Sequence, residues 1–583
     1  MLGLAFRGLK NFDSDSIQIR KVLELLNKVL KDAVKHMNDG KTSLKFSHIV
    51  PILHGMRRKN STYVEVRETI GLIVELVGKC DDVSSSHQLE ISLNSMNYMS
   101  SEHEEVRELI KALTIRLRGS NDSFSSKGIA MALNGVKNMS SEHEEVTHSL
   151  THSPTHSLTH PLTHSLTHSL TQVRELIKAL TIKIKASNDK MTAQGIAMAL
   201  IGIKNMSSEH GEVRELIKAL TIKIKASNDK MTAQGIAMAL QGLMSMSSEH
   251  EEVRALIKAL VHKIRACEDE MTAQGIAMSL SGFKSMNSGH EEVRTLIKAI
   301  IDKIRACEDE MTVRNISHAL YGVMNLSSEH EDVCALMDVI ADKINASNDE
   351  LDGQGIGNTL YGMRHKFSKH VEVQNLIKAI TYKINASNNE LDALGISHAL
   401  YGMRNMRSEH EDVRALIKAL TVKIQESKDE MSAQGIAMSL TGMTRISSDY
   451  EVVRMLIKAL SAKIRLSTAE LNPLEIGMSV HGMRHMSSDF EEVRELISIL
   501  TTKIESSTCK LSAEDIGNIL KGLKNMNSKH VEVRTLLKVL THKIESAGTN
   551  LSTPGVGNAL YELGTHPLTH PPTHLLTNPL THS

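Results

Sequence analysis

The chain has no tryptophan, and its eight tyrosines and seven phenylalanines bring aromatics to only 3% of 583 residues. A large core anchored by rings is therefore excluded, and small and aliphatic side chains must do the packing. Cysteine is equally sparse. Cys80, Cys267, Cys307, Cys334 and Cys509 are odd in number and widely spaced, with no CxxC pair, which excludes a disulfide framework and a zinc knuckle and suits a reducing compartment. Charge of one sign is also missing, since 68 basic residues balance 68 acidic ones, so any site for a polyanion must be locally segregated. No apolar run approaches the roughly 18 residues of a membrane span. The opening "MLGLAFRGLKNFDSDS" has neither signal-peptide nor transit-peptide shape, and the expectation is a soluble intracellular protein with no membrane contact.

Motifs of catalysis are absent too. There is no nucleophile elbow, phosphate-cradling glycine loop, metalloprotease helix or paired carboxylate in a stable context, so neither an enzyme nor a cofactor, metal or small-molecule substrate is expected.

What the chain does have is a repeat. The segment "MTAQGIAMALIGIKNMSSEHGEVRELIKALTIKIKASNDK" at 191–230 recurs with a period of 40 residues through the unit at 511. Its aliphatic anchor falls at Leu200, Leu240, Leu280, Leu320, Leu360, Leu400, Leu440, Val480, Leu520 and Leu560, and upstream at Leu133, Leu93 and Leu53, with Phe6 as the equivalent of an earlier unit. Each unit carries two amphipathic helical patterns. The first, helix A, spans 193–206 with Ile196, Ala199, Leu200, Ile203 and Met206 on one side and Thr192 as N-cap. The second, helix B, begins with an apparent capping box, Ser248 with Glu251, followed by a stripe of Val253, Leu256, Ile257, Leu260 and Ile264. Gly195, Ala199 and Gly202 share another side of helix A, where backbones are expected to approach closely. One hairpin cannot bury two stripes, so the units must stack. The expected fold is all-α, an α-solenoid of about 13–14 two-helix repeats.

One tract breaks the period. Leu133 and Leu200 are separated by 67 residues, one period plus 27, and the extra residues, 147–173, repeat Thr-His-Ser-Leu inside helix B. That tetrapeptide is what the tetranucleotide ACTC encodes when read in frame, so the tract is expected to be a disordered low-complexity insertion of microsatellite origin. Histidines at 148, 152, 156, 160, 164 and 168 have the i, i+4 spacing of a zinc site on a helix, but Pro154 and Pro161 oppose the continuous helix it needs. The expected organisation is repeats over 1–146, the insertion over 147–173, strictly periodic repeats over 174–564, and a tail of the same tetrapeptide over 565–583.

Positions equivalent to 197, 198, 201, 204 and 205 fall opposite the helix A stripe, and variation among units concentrates there. Position 198 holds His318, Asn358 and His398 where Met198, Met238, Met278, Met438 and Met478 stand in other units; position 201 holds Tyr321, Tyr361, Tyr401, His481 and Lys521. A basic residue often follows one turn later, pairing Tyr361 with Arg364, Tyr401 with Arg404, His481 with Arg484 and Lys521 with Lys524. A flat π-surface beside a cation suits single-stranded nucleic acid, where stacking a base on an aromatic contributes about 1–3 kcal/mol. The bland alternative is that tyrosine covers the groove between helices. Helix B adds Lys183, Lys223, Lys263 and their counterparts through Lys543, and an Arg214–Lys218 row. Either could track phosphates or simply complement the helix dipole and cover apolar edges, the second being favoured. The histidines of the "SSEHEEV" turn, such as His250 and His330, are expected in solvent.

The helix A segments "LDGQGIGNTLYGM" at 351–363, "LDALGISHALYGM" and "LSAEDIGNILKGL" resemble the octotricopeptide-type repeats of organellar RNA-binding proteins, and are similar in pattern to the repeats of FAST-kinase-like (RAP) and RNA-editing substrate-binding proteins. The resemblance implies a non-catalytic protein that binds single-stranded RNA in a mitochondrion or plastid and supports transcript processing, stability or editing, with the exposed helix A residues facing RNA. A protein-interaction scaffold of HEAT or armadillo type, holding a peptide or helix, is the competing expectation. Because the packing of the unit makes no use of the 147–173 insertion, its deletion should leave the melting temperature unchanged or higher; a marked fall in a thermal melt would contradict this.

Overall fold

In the computed structural model the described residues are 2–38, 44–141 and 160–547. They contain 26 α-helices and no strand, pairing into thirteen hairpins from Leu2–Gly8 with Ile17–Asn38 to Ala513–Gly522 with Val531–Ala547. The chain divides into two compact units, 1–349 and 350–583. Within each, helix A packs on the helix A of adjacent repeats and helix B on helix B, giving the stacked layers of an α-solenoid. Residues 142–159 and 548–583, and with them most of the Thr-His-Ser-Leu sequence, lie outside the described residues; residues 160–173 form the start of a 27-residue helix, His160–Ala186. No helix among the described residues is long and apolar enough to cross a membrane.

Helix A forms as its pattern requires, but it is shorter than the periodicity suggests. Thr192 caps it by accepting from the Gly195 amide at 3.1 Å, and the helix ends at Gly202 rather than near residue 206. The apolar stripe outlasts the helix, because the tight turn that follows still buries Ile203 and Met206 completely. The anchor residues described above are buried from Phe6 to Val480, while Leu520 is half-buried.

The terminal glycine of helix A explains the stacking. A Cβ on Gly242 would overlap the carbonyl of Leu200, one on Gly282 that of Leu240, and one on Gly442 that of Leu400. The same contact joins Gly55 to Phe6 at the start of the chain. At Gly195 the approach is looser: a Cβ there would meet its own cap Thr192 at 3.2 Å, and Met191 and Ala130 at 3.7 and 3.8 Å, so the tightest backbone contact in that repeat is at the Gly202 position.

Helix B departs from expectation at its start. The helix begins at Glu251, with His250 as an N-cap whose side chain makes no capping bond, so Ser248 is not half of a capping box. Ser248 is fully buried, and its hydroxyl accepts the amide of Asn287 in the next repeat at 2.8 Å. Ser208 does the same for Ser247, Ser408 for Ser447 and Ser448 for Ser487. The serine satisfies a backbone donor of its neighbour rather than one of its own helix.

The basic rows serve the same end. The Lys263 ammonium, 7% exposed, donates to the carbonyls of Ser227 at 2.6 Å and Asp229 at 2.9 Å in the preceding repeat, and Lys423 repeats this with Ser387 and Asn389 at 2.7 and 3.1 Å. Arg254 folds back on its own turn, Nη1 donating to the carbonyls of Ser248 and Glu249 at 2.8 and 2.7 Å; Arg414 and Arg494 match it. The lysine ladder and the arginines of the second row are thus held by backbone carbonyls, while that row's lysines, such as Lys218 and Lys418, stay exposed. The turn histidines are not free in solvent either, since His250 Nε2 lies 3.1 Å from Glu209 and His530 Nε2 lies 3.1 Å from Asp489, each in the preceding repeat. A last stitch closes each repeat on itself. The first amide of helix A is capped by an aspartate from the end of the same repeat's helix B, Ala193 by Asp229 at 3.3 Å, Ala233 by Asp269 and Ala273 by Asp309 both at 3.2 Å.

Gly402→Ala places a methyl group against the Leu360 carbonyl and should destabilise that region by about 1–3 kcal/mol. Gly517→Ala, where a Cβ meets nothing within 4 Å, should instead stabilise its helix by up to about 1 kcal/mol. Hydrogen exchange of helices Ala393–Gly402 and Ala513–Gly522 measures both, and equal effects at the two sites would contradict the carbonyl contact.

Candidate functional site

Because helix A is only nine or ten residues long in most repeats and stacks on its own kind, equivalent side chains recur in register from one repeat to the next. The 197 position is not on the open face, as Ala197, Ala237, Ser317 and Ser397 are all buried. The 198, 201 and 204 positions are mostly half-buried and form the surface that remains accessible. The 205 asparagines do another job. Asn405 donates to the Arg364 carbonyl at 2.7 Å and Asn525 to the Arg484 carbonyl at 3.0 Å, tying each repeat to the one before.

In the unit 1–349, His318 is exposed, and Tyr321 is half-buried with the Lys284 ammonium 5.3 Å from its ring centroid. In the unit that begins at 350, the predicted pairs come together more fully. The Tyr361 and Tyr401 rings lie 5.7 Å apart at 24°, a stacked pair, and His398 sits 4.7 Å from Tyr361. The Arg364 guanidinium lies 4.9 Å from the Tyr361 centroid and that of Arg404 5.4 Å from Tyr401, with Arg404 Nη1 also donating to the Tyr401 hydroxyl at 2.8 Å. Asn358 is half-buried on the same row. The tyrosines therefore cover part of the groove and present an edge of stacked, cation-flanked rings at the same time.

Farther along this row, a cleft of about 290 Å3 opens where repeats 393–522 meet. It is lined by Arg404, Arg445 and Arg484, with Thr441, Met478, His481 and Asn518. Among the described residues no carboxylate lies within ion-pair distance of Arg404, Arg445, Arg484 or Lys521. Uncompensated positive charge shows in the histidines. Burial, and then the charges of Arg364, Arg404 and Lys366, push His365 down to about 4. His481 is lowered by burial, Arg484 and Lys521, and His485 by burial and four surrounding cations. His398 is lowered by burial. Near neutral pH these imidazoles are held toward the uncharged form by burial and, for His365, His481 and His485, by neighbouring cations that would attract an anion. Lys521 is half-buried and Lys524 exposed at the far end of the row.

The structure thus brings His481 and Arg484 into one cleft with Arg404. Sequence pairing missed Arg445, His365 and Asn518. The available signal for Arg445 was its position: it replaces the asparagine that Asn405 and Asn525 use to reach the preceding repeat. No group of three or more His, Cys, Asp or Glu side chains able to hold a metal occurs among the described residues.

No protein-family profile matches the chain, and no curated protein matches it. Similar solved structures include yeast Rmd9p in complex with a 16-nt target RNA, at 12% identity and a TM-score of 0.34, covering 82% of this chain and 94% of that one. A homology model of the full-length AP-3 complex scores 0.34 at 12% identity, covering 96% and 93%. The pentatricopeptide repeat protein PPR10 with an 18-nt psaJ RNA element scores 0.25 at 10% identity, covering 96% and 89%. Superpositions this loose carry no argument about ligand or ancestry, and the site is interpreted from its own chemistry.

Acid should weaken the repeat that carries His365. Below its ordinary value of 6.5 the unfolded chain takes up a proton that the folded chain refuses until about 4, so stability is lost as pH falls across that window. Replacing His365 with asparagine, the residue Asn405 supplies one repeat later, should flatten this dependence. Thermal melts between pH 7 and 4 measure it, and an unchanged slope in the variant would show that other groups govern it.

Proposed function

We propose that the protein is a non-catalytic helical-repeat protein that binds single-stranded RNA along the helix A row of residues 350–547. The observation that carries this reading is the continuity of two features through Arg404: its guanidinium lies beside the stacked Tyr361–Tyr401 pair and also lines a cleft whose arginines lack carboxylate partners. Stacked rings offer a sequence-tolerant platform for bases, and guanidinium groups form strong charge-assisted bonds with phosphate oxygens. The half-exposed residues around them, Asn358, His398, His481 and Asn518, are able to donate to or accept from base edges. The zero net charge is compatible with this, since the lysine ladder and the arginines of helix B are engaged by carbonyls and, among the described residues, no carboxylate lies within ion-pair distance of the cleft's arginines.

What supports an organellar setting, with a role in transcript processing, stability or editing, is the resemblance of the helix A segments to octotricopeptide-type repeats. A polypeptide ligand is the outcome to be distinguished.

A salt-titrated capture from a random single-stranded RNA pool tests the proposal. Binding should weaken steeply between low and moderate salt. Tyr361→Ala combined with Tyr401→Ala should weaken it by roughly tenfold or more, since each stacked base contributes about 1–3 kcal/mol. Capture of no RNA, with a defined polypeptide recovered in its place, would overturn the reading in favour of a scaffold.

A further inference from the structure

The cleft lined by Arg404, Arg445 and Arg484 is more specialised than a backbone track requires. In the repeats that carry asparagine at the 205 position, that side chain donates to a carbonyl of the preceding repeat, as Asn205 does to Lys137 at 2.9 Å and Asn405 to Arg364 at 2.7 Å. The repeat at 433 gives up this stitch. It places Arg445 there, with the guanidinium 5.8 Å from the Phe367 ring centroid and facing the cleft. Thr444, at the position where neighbouring repeats have Arg404 and Arg484, turns its hydroxyl to the Thr441 carbonyl. The three guanidiniums therefore come from three successive repeats onto one confined volume, instead of lying in a single file.

Two further groups in the cleft await a partner. The Nε2 atom of His481 is buried and, among the described residues, makes no hydrogen bond, in a cleft lined by cations, Met478 and neutral threonine and asparagine side chains. The Asn518 amide, half-buried and also lining the cleft, makes none among the described residues. A buried imidazole nitrogen without a partner costs free energy that a ligand oxygen recovers.

An internal phosphodiester carries one negative charge, whereas a terminal phosphomonoester carries about 1.5 to 2 near pH 7 and has three strong acceptor oxygens. Three guanidiniums without a carboxylate, together with His481 and Asn518, match the second better in both charge and number of donors. We propose, resting on the RNA-binding reading above, that this cleft holds the terminal phosphomonoester of an RNA end, with the adjoining base stacked toward Tyr401. Arg404 links the two parts, because it lines the cleft and donates to the Tyr401 hydroxyl.

The test uses the full chain and one 12-nucleotide single-stranded RNA made in three forms, with a 5′-phosphate, with a 3′-phosphate, and with hydroxyls at both ends. One phosphorylated form should bind at least about tenfold more tightly than the hydroxyl form, as expected for two additional charge-assisted bonds. Arg445→Asn, which restores the residue that the preceding repeat has as Asn405, should weaken the preferred phosphorylated form by a larger factor than the hydroxyl form and so bring the ratio of the two toward one. Equal binding of all three forms by the natural chain would overturn the terminal-phosphate assignment and leave RNA binding standing; binding of none would overturn both. Adenosine monophosphate competing at the same concentration as the phosphorylated RNA would replace an RNA end with a small-anion site. If Arg445→Asn lowers all three forms equally while its circular dichroism is unchanged, the cleft contacts internal phosphate and the assignment fails.

Discussion

The approach of a glycine at the end of one helix A to the leucine carbonyl of the helix A before it sets the geometry of the array. Any side chain at Gly242, Gly402 or Gly442 would force the two backbones apart. Because the contact is backbone to backbone, it does not depend on which residues occupy the rest of the helix. That is why the 198 and 201 positions can hold methionine, histidine, asparagine, tyrosine or lysine in different repeats without loss of register. The tyrosine pair, the arginine cleft and the spacing between them all inherit their positions from this one steric condition.

Around it, the repeats are joined by polar groups that reach across boundaries. Ser248 accepts a neighbour's amide and Lys263 donates to a neighbour's carbonyls, while Asp269 closes its own repeat by capping Ala233. These are buried or half-buried interactions, and each satisfies a backbone group that would otherwise be orphaned between helices. The helix B lysines that reach these carbonyls are thus internal to the array. At the end of helix A, Arg404, Arg445, Arg484 and Lys521 have no carboxylate within ion-pair distance among the described residues, and the three arginines line one cleft.

Much of this was legible in the sequence. Period, helix pairing, the anchor leucines and the Thr192 cap follow from local pattern, and the structure agrees with each. Cross-repeat bonds were not legible, because serine three residues before glutamate has the same appearance whether it caps its own helix or receives the next repeat's amide. Only the position of Asn287 against Ser248 separates the two. The lysine ladder was ambiguous for a similar reason, since a 40-residue spacing says that side chains align but not whether they point at carbonyls or at water. The Tyr–Arg pairs were visible because both members lie on one helix turn; Arg445 was not, because its partners in the cleft come from other repeats.

The aspartate that caps the first amide of helix A gives the array a direction in time. Asp229 lies 36 residues after Ala193, at the far end of the same repeat. A ribosome therefore delivers the short helix well before the carboxylate that completes it, and the glycine that seats it, Gly242 for Leu200, arrives later still. The nascent array matures about one repeat behind the point of synthesis, so its newest hairpin is always the incomplete one.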